Sequence, residues 1–420
     1  MRNSLSLTAV TAIAALTLTA CGGTPVGTTG PASSGELTAG PGFDGKTISV
    51  GVLNPTSGMV AAAAGLPVLA GLKLRVEHIN AAGGIAGKYP IKLDIQDTEY
   101  NPQTALRAYT GMSGRVALIG SVLGTGVVQA LLPKLAQDKT LAVPASAASD
   151  WLPQPNLLPT QPTYEVSFIN GMSHLVGHKG GKDKNYCVYR QDDATGEANS
   201  KGIEFGAEKL GIKIAKDVVF PASTTDFTAQ VQQLKAAKCD VVFYASSATF
   251  AQKTIASAIQ LDFAPTWMSN VAGVPLFLVG SPSKNYLAEN WLVAMAGAQW
   301  GDTGVPGMAQ MVDDFKKYGD PQDKPDPSLW TAGYTNGLAV EALLERAVKD
   351  GDLSPAHITE LSHSSDFTID FQGLSPDFTY GPVEDRKSPT AVSVLAVDPE
   401  IPGFLRTVAP NVDSAAAKAF

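Results

Sequence analysis

The feature that most constrains this chain is a strand-helix alternation that runs through it twice. Ile48-Ser49-Val50-Gly51-Val52-Leu53 is a β-branched run closed by Asn54-Pro55-Thr56-Ser57-Gly58, the composition of a strand and of the turn that ends one. Leu69, Leu72, Val76 and Ile79 follow at steps of three, four and three, and Gly83-Gly84 closes the segment. That spacing lines one face of a helix, and glycine commonly follows a helix end. A strand over 91–95, a helix over 103–112, a strand over 116–120, a helix striped by Val128, Leu131, Leu132 and Leu135, and a strand over 141–144 complete the first series. After the proline-rich stretch 151–162 the series restarts. It has strands over 186–190, 212–220, 240–245 and 266–268 and helices over 196–210, 226–237 and 251–261. A third section carries an apolar strand over 291–295, helices over 305–318 and 329–349, and an irregular, β-rich tail.

Regular alternation with short connections predicts parallel sheets covered by helices on both faces. The expected fold class is α/β, with two doubly wound parallel-sheet lobes and a ligand cleft between them, outside the carboxyl ends of the strands. A length of 420 residues suits two or three domains. The expected division is 44–160 plus 289–351 in lobe 1 and 161–288 plus 352–420 in lobe 2. A three-segment hinge would cross near Thr160, Lys284 and Gly351.

The amino terminus reads differently. Arg2 is followed by an uncharged stretch over 5–20, rich in Leu, Ala and Thr, too short for a secure membrane span and suited to an export signal. Leu18-Thr19-Ala20-Cys21 resembles a bacterial lipoprotein box. Residues 1–20 are therefore expected to be a lipoprotein signal peptide and Cys21 the lipidated residue, with 21–43, rich in Gly, Thr, Pro and Ser, as a flexible linker. This puts the mature chain on the extracytoplasmic face of the cell membrane, lipid-anchored rather than spanning. In such an oxidising space Cys187 and Cys239 matter. Their strands could be neighbours, and a disulfide and two small buried thiols are both compatible with the sequence.

Charge and motifs narrow the function. With 31 Lys and Arg against 39 Asp and Glu, the net charge is −8, and no basic field exists to attract nucleic acid. Gly40-Pro41-Gly42-Phe43-Asp44-Gly45-Lys46-Thr47 fits a phosphate-binding loop letter for letter, but a strand follows it where that loop needs a helix. Gly124-Thr125-Gly126-Val127-Val128-Gln129 follows a strand and opens a helix, with Gln129 in place of the third glycine of a dinucleotide fingerprint. Its amides can still hold an anionic or carbonyl group without a cofactor. His174 and His178 read as a solvated helix face, His78 as structural, and Asp192-Asp193 and Asp313-Asp314 as solvated acids. No G-x-S-x-G elbow occurs. No metal, cofactor or catalytic residue is expected, which disfavours an enzyme.

Between about Lys46 and Val397 the chain resembles the type I periplasmic binding proteins of the leucine/isoleucine/valine-binding family, the extracytoplasmic receptors of ABC importers. Carrying the resemblance are Ile48 through Gly58 as quoted above, and Asn80-Ala81-Ala82-Gly83-Gly84-Ile85-Ala86-Gly87 with the strand after it. Further along stand Ile119-Gly120-Ser121, Val143-Pro144-Ala145-Ser146-Ala147, Thr195-Gly196, and Tyr334 leading the helix to Ala347. The resemblance implies a small-molecule solute bound by hinge closure, ABC permease subunits as partners, and a monomer. It implies that Ser121, Gly124 and Thr125 receive a ligand carboxylate, and that Ala145, Ser146 and Ala147 add backbone and small side-chain contacts. Ser57 and Ala63 would contribute from the first loop. It places Thr195 and Ser247 where the family has aromatic contacts, and Asn270 where it has the acid that grips an amino group. Burying an ammonium without a carboxylate is costly. The implied ligand is therefore larger than leucine or lacks a cationic amine, unless Asp150, Asp192 or Glu197 takes over the role. A ligand sensor of the same fold coupled to signalling is the alternative, and a cryptic enzyme the third reading.

Overall fold

The computed structural model describes residues 37–420 apart from 379; Cys21, the signal peptide and most of the linker lie outside the described residues. Strands β1 (Ile48–Asn54), β2 (Ile91–Asp97), β3 (Ile119–Val122) and β4 (Ala142–Pro144) form an all-parallel sheet in the order β2-β1-β3-β4. Helices α1 (Leu66–Ala81), α2 (Pro102–Met112) and α3 (Thr125–Asp138) are its crossovers. The chain then enters α4 (Tyr164–Gly177) and winds a second sheet the same way. Its strands β5 (Tyr186–Gln191), β6 (Ile214–Phe220), β7 (Val241–Ala245) and β8 (Thr266–Ser269) take the order β6-β5-β7-β8. Between them run α5 (Ala194–Leu210), α6 (Thr228–Ala236) and α7 (Ala251–Gln260).

The second sheet continues where the first stops. After α8 (Lys284–Asn290), β9 (Trp291–Met295) joins parallel to β8, and β10 (Val392–Val397) and β11 (Leu405–Val412) add antiparallel strands at the edge. The expected boundaries move accordingly. Residues 289–295, expected in lobe 1, belong to lobe 2, because Trp291 sits in register with Trp267 and stacks on it with centroids 5.7 Å apart. The chain then returns to lobe 1 for α9 (Pro306–Tyr318), α10 (Leu329–Asp350) and α11 (Pro355–Leu361). Residues 352–380, expected in lobe 2, also stay with lobe 1. Leu353, Ile358, Leu361, Phe367 and Phe371 share an apolar core with Leu72 of α1 and Leu344 of α10. The lobes are therefore joined at 159–163, 296–305 and 386–391, rather than near Lys284 and Gly351.

Packing explains why these helices cover these sheets. Helix α1 crosses α10 through glycines: a Cβ on Gly71 would lie 1.9 Å from the Trp330 carbonyl oxygen, and one on Gly333 1.9 Å from that of Val68. In lobe 2, α4 and α5 meet the same way, with a Cβ on Gly202 falling 2.4 Å from Glu165 Cα. Close-packed interiors leave no slack for either addition. Asp314, expected as a solvated acid, is fully buried. It accepts from the Tyr334 hydroxyl at 2.6 Å and pairs with His78 Nδ1 at 2.8 Å, fastening α9 to α1 and α10. Cys187 and Cys239 are joined in a disulfide, with Cα atoms 5.8 Å apart, since β5 and β7 are neighbours and Cys187 pairs with Val242. Among the described residues, no helix is long and apolar enough to cross a membrane.

Candidate functional site

In each lobe the winding direction switches between the first and third strands of its series, β1 and β3 in one, β5 and β7 in the other. Loops on either side of a switch diverge to opposite faces and leave a crevice at the strand ends. The two crevices face each other here, and between them lies a cavity of about 30 Å³. Of the expected residues, Gly124, Thr125, Ala145, Thr195 and Ser247 line it, together with Val60, Ala64, Tyr100, Leu123, Tyr164, Val271, Ala272 and Leu329. Ala63 instead faces a wider groove beside it. Ser121, Ser146, Ala147 and Asn270 are buried behind the lining. Ser121 Oγ donates to Asn54 Oδ1 at 3.0 Å, Ser146 Oγ accepts from Trp151 Nε1 at 3.1 Å, and the Ala147 carbonyl accepts from Tyr164 N at 2.8 Å. Asn270 Nδ2 donates to Asn199 Oδ1 at 2.6 Å while its Oδ1 accepts from Ala272 N at 3.0 Å. Ser57 is exposed on the first loop.

The described lining carries five hydroxyls, from Tyr100, Thr125, Tyr164, Thr195 and Ser247, and no charged side chain. Asp150, Asp192 and Glu197 lie outside it, and Asp150 pairs with Lys201 at 2.7 Å. The hydroxyls connect the lobes: Thr195 Oγ1 donates to Thr125 Oγ1 at 3.2 Å, and the Tyr100 hydroxyl lies 3.5 Å from Thr195 Oγ1. Burial, with help from the Asp193 carboxylate, pushes the Tyr100 hydroxyl up to about 12. Burial raises Tyr164 as well. Both therefore remain protonated donors at any physiological pH.

Tyr100 and Tyr164 are the polar lining residues that sequence reasoning missed, beside six apolar ones. Tyr100 had one signal, its place just past a strand end, where loops of this fold face the crevice. Its left-handed backbone (φ +56°, with Glu99 at +51°) has no signature in the sequence. Tyr164 opens the helix that follows the first hinge segment.

Helix ends complete the electrostatics. Gly124, at φ +112°, precedes α3 and offers no side-chain cap, and a Cβ there would meet the Tyr100 ring at 2.8 Å. The first amides of α3 thus have no side-chain acceptor, and the positive end of the helix dipole is open to an anion. Across the cleft α5 is capped by Asp193, which accepts from Thr195 N at 2.9 Å and Gly196 N at 3.1 Å. Asp193, expected as a solvated acid, is largely buried, and burial pushes its carboxyl above the usual range against those hydrogen bonds.

The neighbouring groove holds about 730 Å³. Leu66 and Leu74 of α1, Leu276, Phe277 and Val279 after β8, Tyr318, Trp330 and Phe404 give it apolar walls, and the exposed Lys73, Glu77, Asp320, Asp323 and Lys324 also border it. Leu329 lines both groove and cavity.

The sequence pattern of the periplasmic binding protein family matches residues 47–386. The chain belongs to this family. Curated relatives similar to this periplasmic binding protein are named as leucine/isoleucine/valine-binding homologues. The Leu/Ile/Val-binding protein homolog 3 of Brucella melitensis is 29% identical over 203 residues, covering 47% of this chain and 54% of that one. The match thus spans about half of that relative's length. Homolog 8 of Brucella abortus is 25% identical over 306 residues, 65% of this chain and 70% of its own. Among solved structures, a fatty acid ABC transporter substrate-binding protein from Thermomonospora curvata superposes with a TM-score of 0.84 at 24% identity, over 91% of this chain and 97% of that one. A branched chain amino acid ABC transporter protein from Thermus thermophilus with bound valine gives 0.76 at 16% identity, over 91% and 99%. At these identities the two structures share the fold with this periplasmic binding protein.

Proposed function

We propose that this protein captures a small organic solute lacking a cationic amine at the outer face of a membrane, tethered by a lipid on Cys21, and presents it to an ABC permease. The observation that carries this reading is the cavity lining, five hydroxyls with no charged side chain. An α-amino group buried there would have no carboxylate partner, a cost of several kcal/mol. An anionic or amide head finds hydroxyl donors and the uncapped end of α3.

The cavity volume of about 30 Å³ is room for a water molecule or two, not for a solute. Entry then requires the lobes to part about the three connecting segments and close again over the ligand, a hinge motion that a permease can recognise. The first segment is laced to the chain leading into the third. Ser375 Oγ donates to the Thr160 carbonyl at 2.8 Å, the Tyr380 hydroxyl to that of Pro159 at 2.7 Å, and Thr163 N to Ser388 Oγ at 3.0 Å.

A thermal-shift screen of the chain lacking residues 1–20, against amino acids, aliphatic and aromatic carboxylates, amides and sugars, tests the reading. Amine-free carboxylates or amides are expected to raise the melting temperature by mass action. A shift with leucine, isoleucine or valine alone would overturn the assignment of ligand class, and no shift in any class would overturn solute binding.

A further inference from the structure

We infer that the groove beside the cavity is the second half of the solute site and holds the apolar tail of an aliphatic carboxylate whose head lies in the cleft. This inference rests on the solute-binding reading above. The first observation is one of size. About 730 Å³ lies in the groove against about 30 Å³ in the cavity, and organic ligands of drug size occupy pockets of roughly 300–1,000 Å³. The space for most of a ligand is therefore outside the cleft, and it too runs between the lobes.

The second observation is continuity. Leu329 lines both spaces, and neighbouring residues of the π-helical turn Ala61–Gly65 line one each, Ala63 the groove and Ala64 the cavity. Gly65 lets this turn lie against the β1 loop, since a Cβ there would come within 1.8 Å of the Pro55 carbonyl oxygen. Small side chains at this turn leave room for an extended chain to pass from hydroxyl-rich cavity to apolar groove as the lobes part.

The third observation is chemistry. Leu66 on lobe 1 and Phe277 on lobe 2 face the groove from opposite sides and are 45% and 44% exposed. Large apolar side chains left in water on both lips of an interlobe groove are surface that an apolar tail would cover. A tail bound there touches both lobes and so stabilises the closed form, as a head group alone in the cleft would.

Isothermal titration with straight-chain carboxylates from hexanoate to dodecanoate, and with leucine, tests this on the chain lacking residues 1–20. Affinity should rise with each added methylene, by up to about fourfold where the methylene is fully buried. Phe277→Asp and Leu66→Ser, both at exposed positions, should weaken dodecanoate tenfold or more, leave hexanoate nearly unchanged and keep the wild-type melting temperature. Trp330 lines the groove, so dodecanoate should also change its emission, a change absent in Trp330→Phe. Affinity that is flat with chain length, or equal losses for hexanoate and dodecanoate in the variants, would overturn the tail site while leaving solute binding intact. Binding of leucine with none of the carboxylates would overturn both the tail site and the amine-free ligand class.

Discussion

The two lobes wind their first four strands in the same order but treat the helix that opens at the switch point in opposite ways. In lobe 1, α3 starts on Gly124 with no side-chain cap; in lobe 2, the carboxylate of Asp193 already occupies the start of α5. An incoming anionic head competes with nothing at α3 and with a buried acid at α5. Under the proposed function lobe 1 receives the head, and Thr195, Ser247 and Val271 of lobe 2 line the same cavity from the other side. Lobe 2 is also the more heavily fastened. It carries the disulfide, three additional strands and a cluster of Tyr189, Phe220, Tyr244, Trp267 and Trp291, where lobe 1 is mainly aliphatic around its sheet.

The largest expected effect breaks that fastening. Replacing Cys187 and Cys239 together by serine releases a cross-link spanning 52 residues, which costs about 4 kcal/mol in the chain-entropy account. Urea unfolding measures it, and a loss below about 1 kcal/mol would mean that lobe 2 draws its rigidity from its aromatic core instead. Next come the glycine crossings that the lobes share. Gly71→Ala and Gly202→Ala should each cost about 1–3 kcal/mol by forcing packed helices apart; a neutral Gly202→Ala would show that only the α1–α10 pair is tight. Thr125→Val should weaken a carboxylate solute about tenfold or more, the worth of one hydrogen bond to a charged group, with folding stability held within about 1 kcal/mol. Equal affinity would move the head away from α3.

The smallest effect is in pH. Burial pushes the Glu165 carboxyl up, opposed by bonds from Ser149, whose Oγ donates to it at 2.8 Å. The folded state therefore holds this proton more tightly than the unfolded chain. Its contribution to stability is present at low pH and is lost as pH rises from the ordinary carboxylate range through the folded pKa. Glu165→Gln keeps a neutral side chain at every pH, so it should gain on wild type across that window when melting temperatures are compared. A difference independent of pH would mean that Glu165 titrates in the fold as it does in the unfolded chain.

The first series of strands was legible because short β-branched runs sat between glycine and asparagine turns: 48–53 was expected and Ile48–Asn54 found. The exchange of chain between lobes was not, because it depends on which sheet edge a strand meets. Residues 291–295 read as a strand in either lobe, and only the stacking of Trp291 on Trp267 chooses the second. The same limit governs the site. Glycine and hydroxyl residues after β3, β5 and β7 were expected at the cleft and line the cavity, whereas the reach of Tyr100 across to Thr195 is a tertiary contact. Asn270, expected where the family has an acid, follows the end of β8, and its side chain turns to Asn199 because two buried amides satisfy each other there.

Closure over the solute is the central claim, and small-angle X-ray scattering tests it most directly. The chain lacking residues 1–20 is measured alone and then saturated with decanoate, with occupancy established by titration. The account predicts that the free protein is more extended than the closed structure and contracts on binding until the lobes match it. A free protein that already scatters as the closed form, and keeps that profile while decanoate binds, would contradict hinge closure.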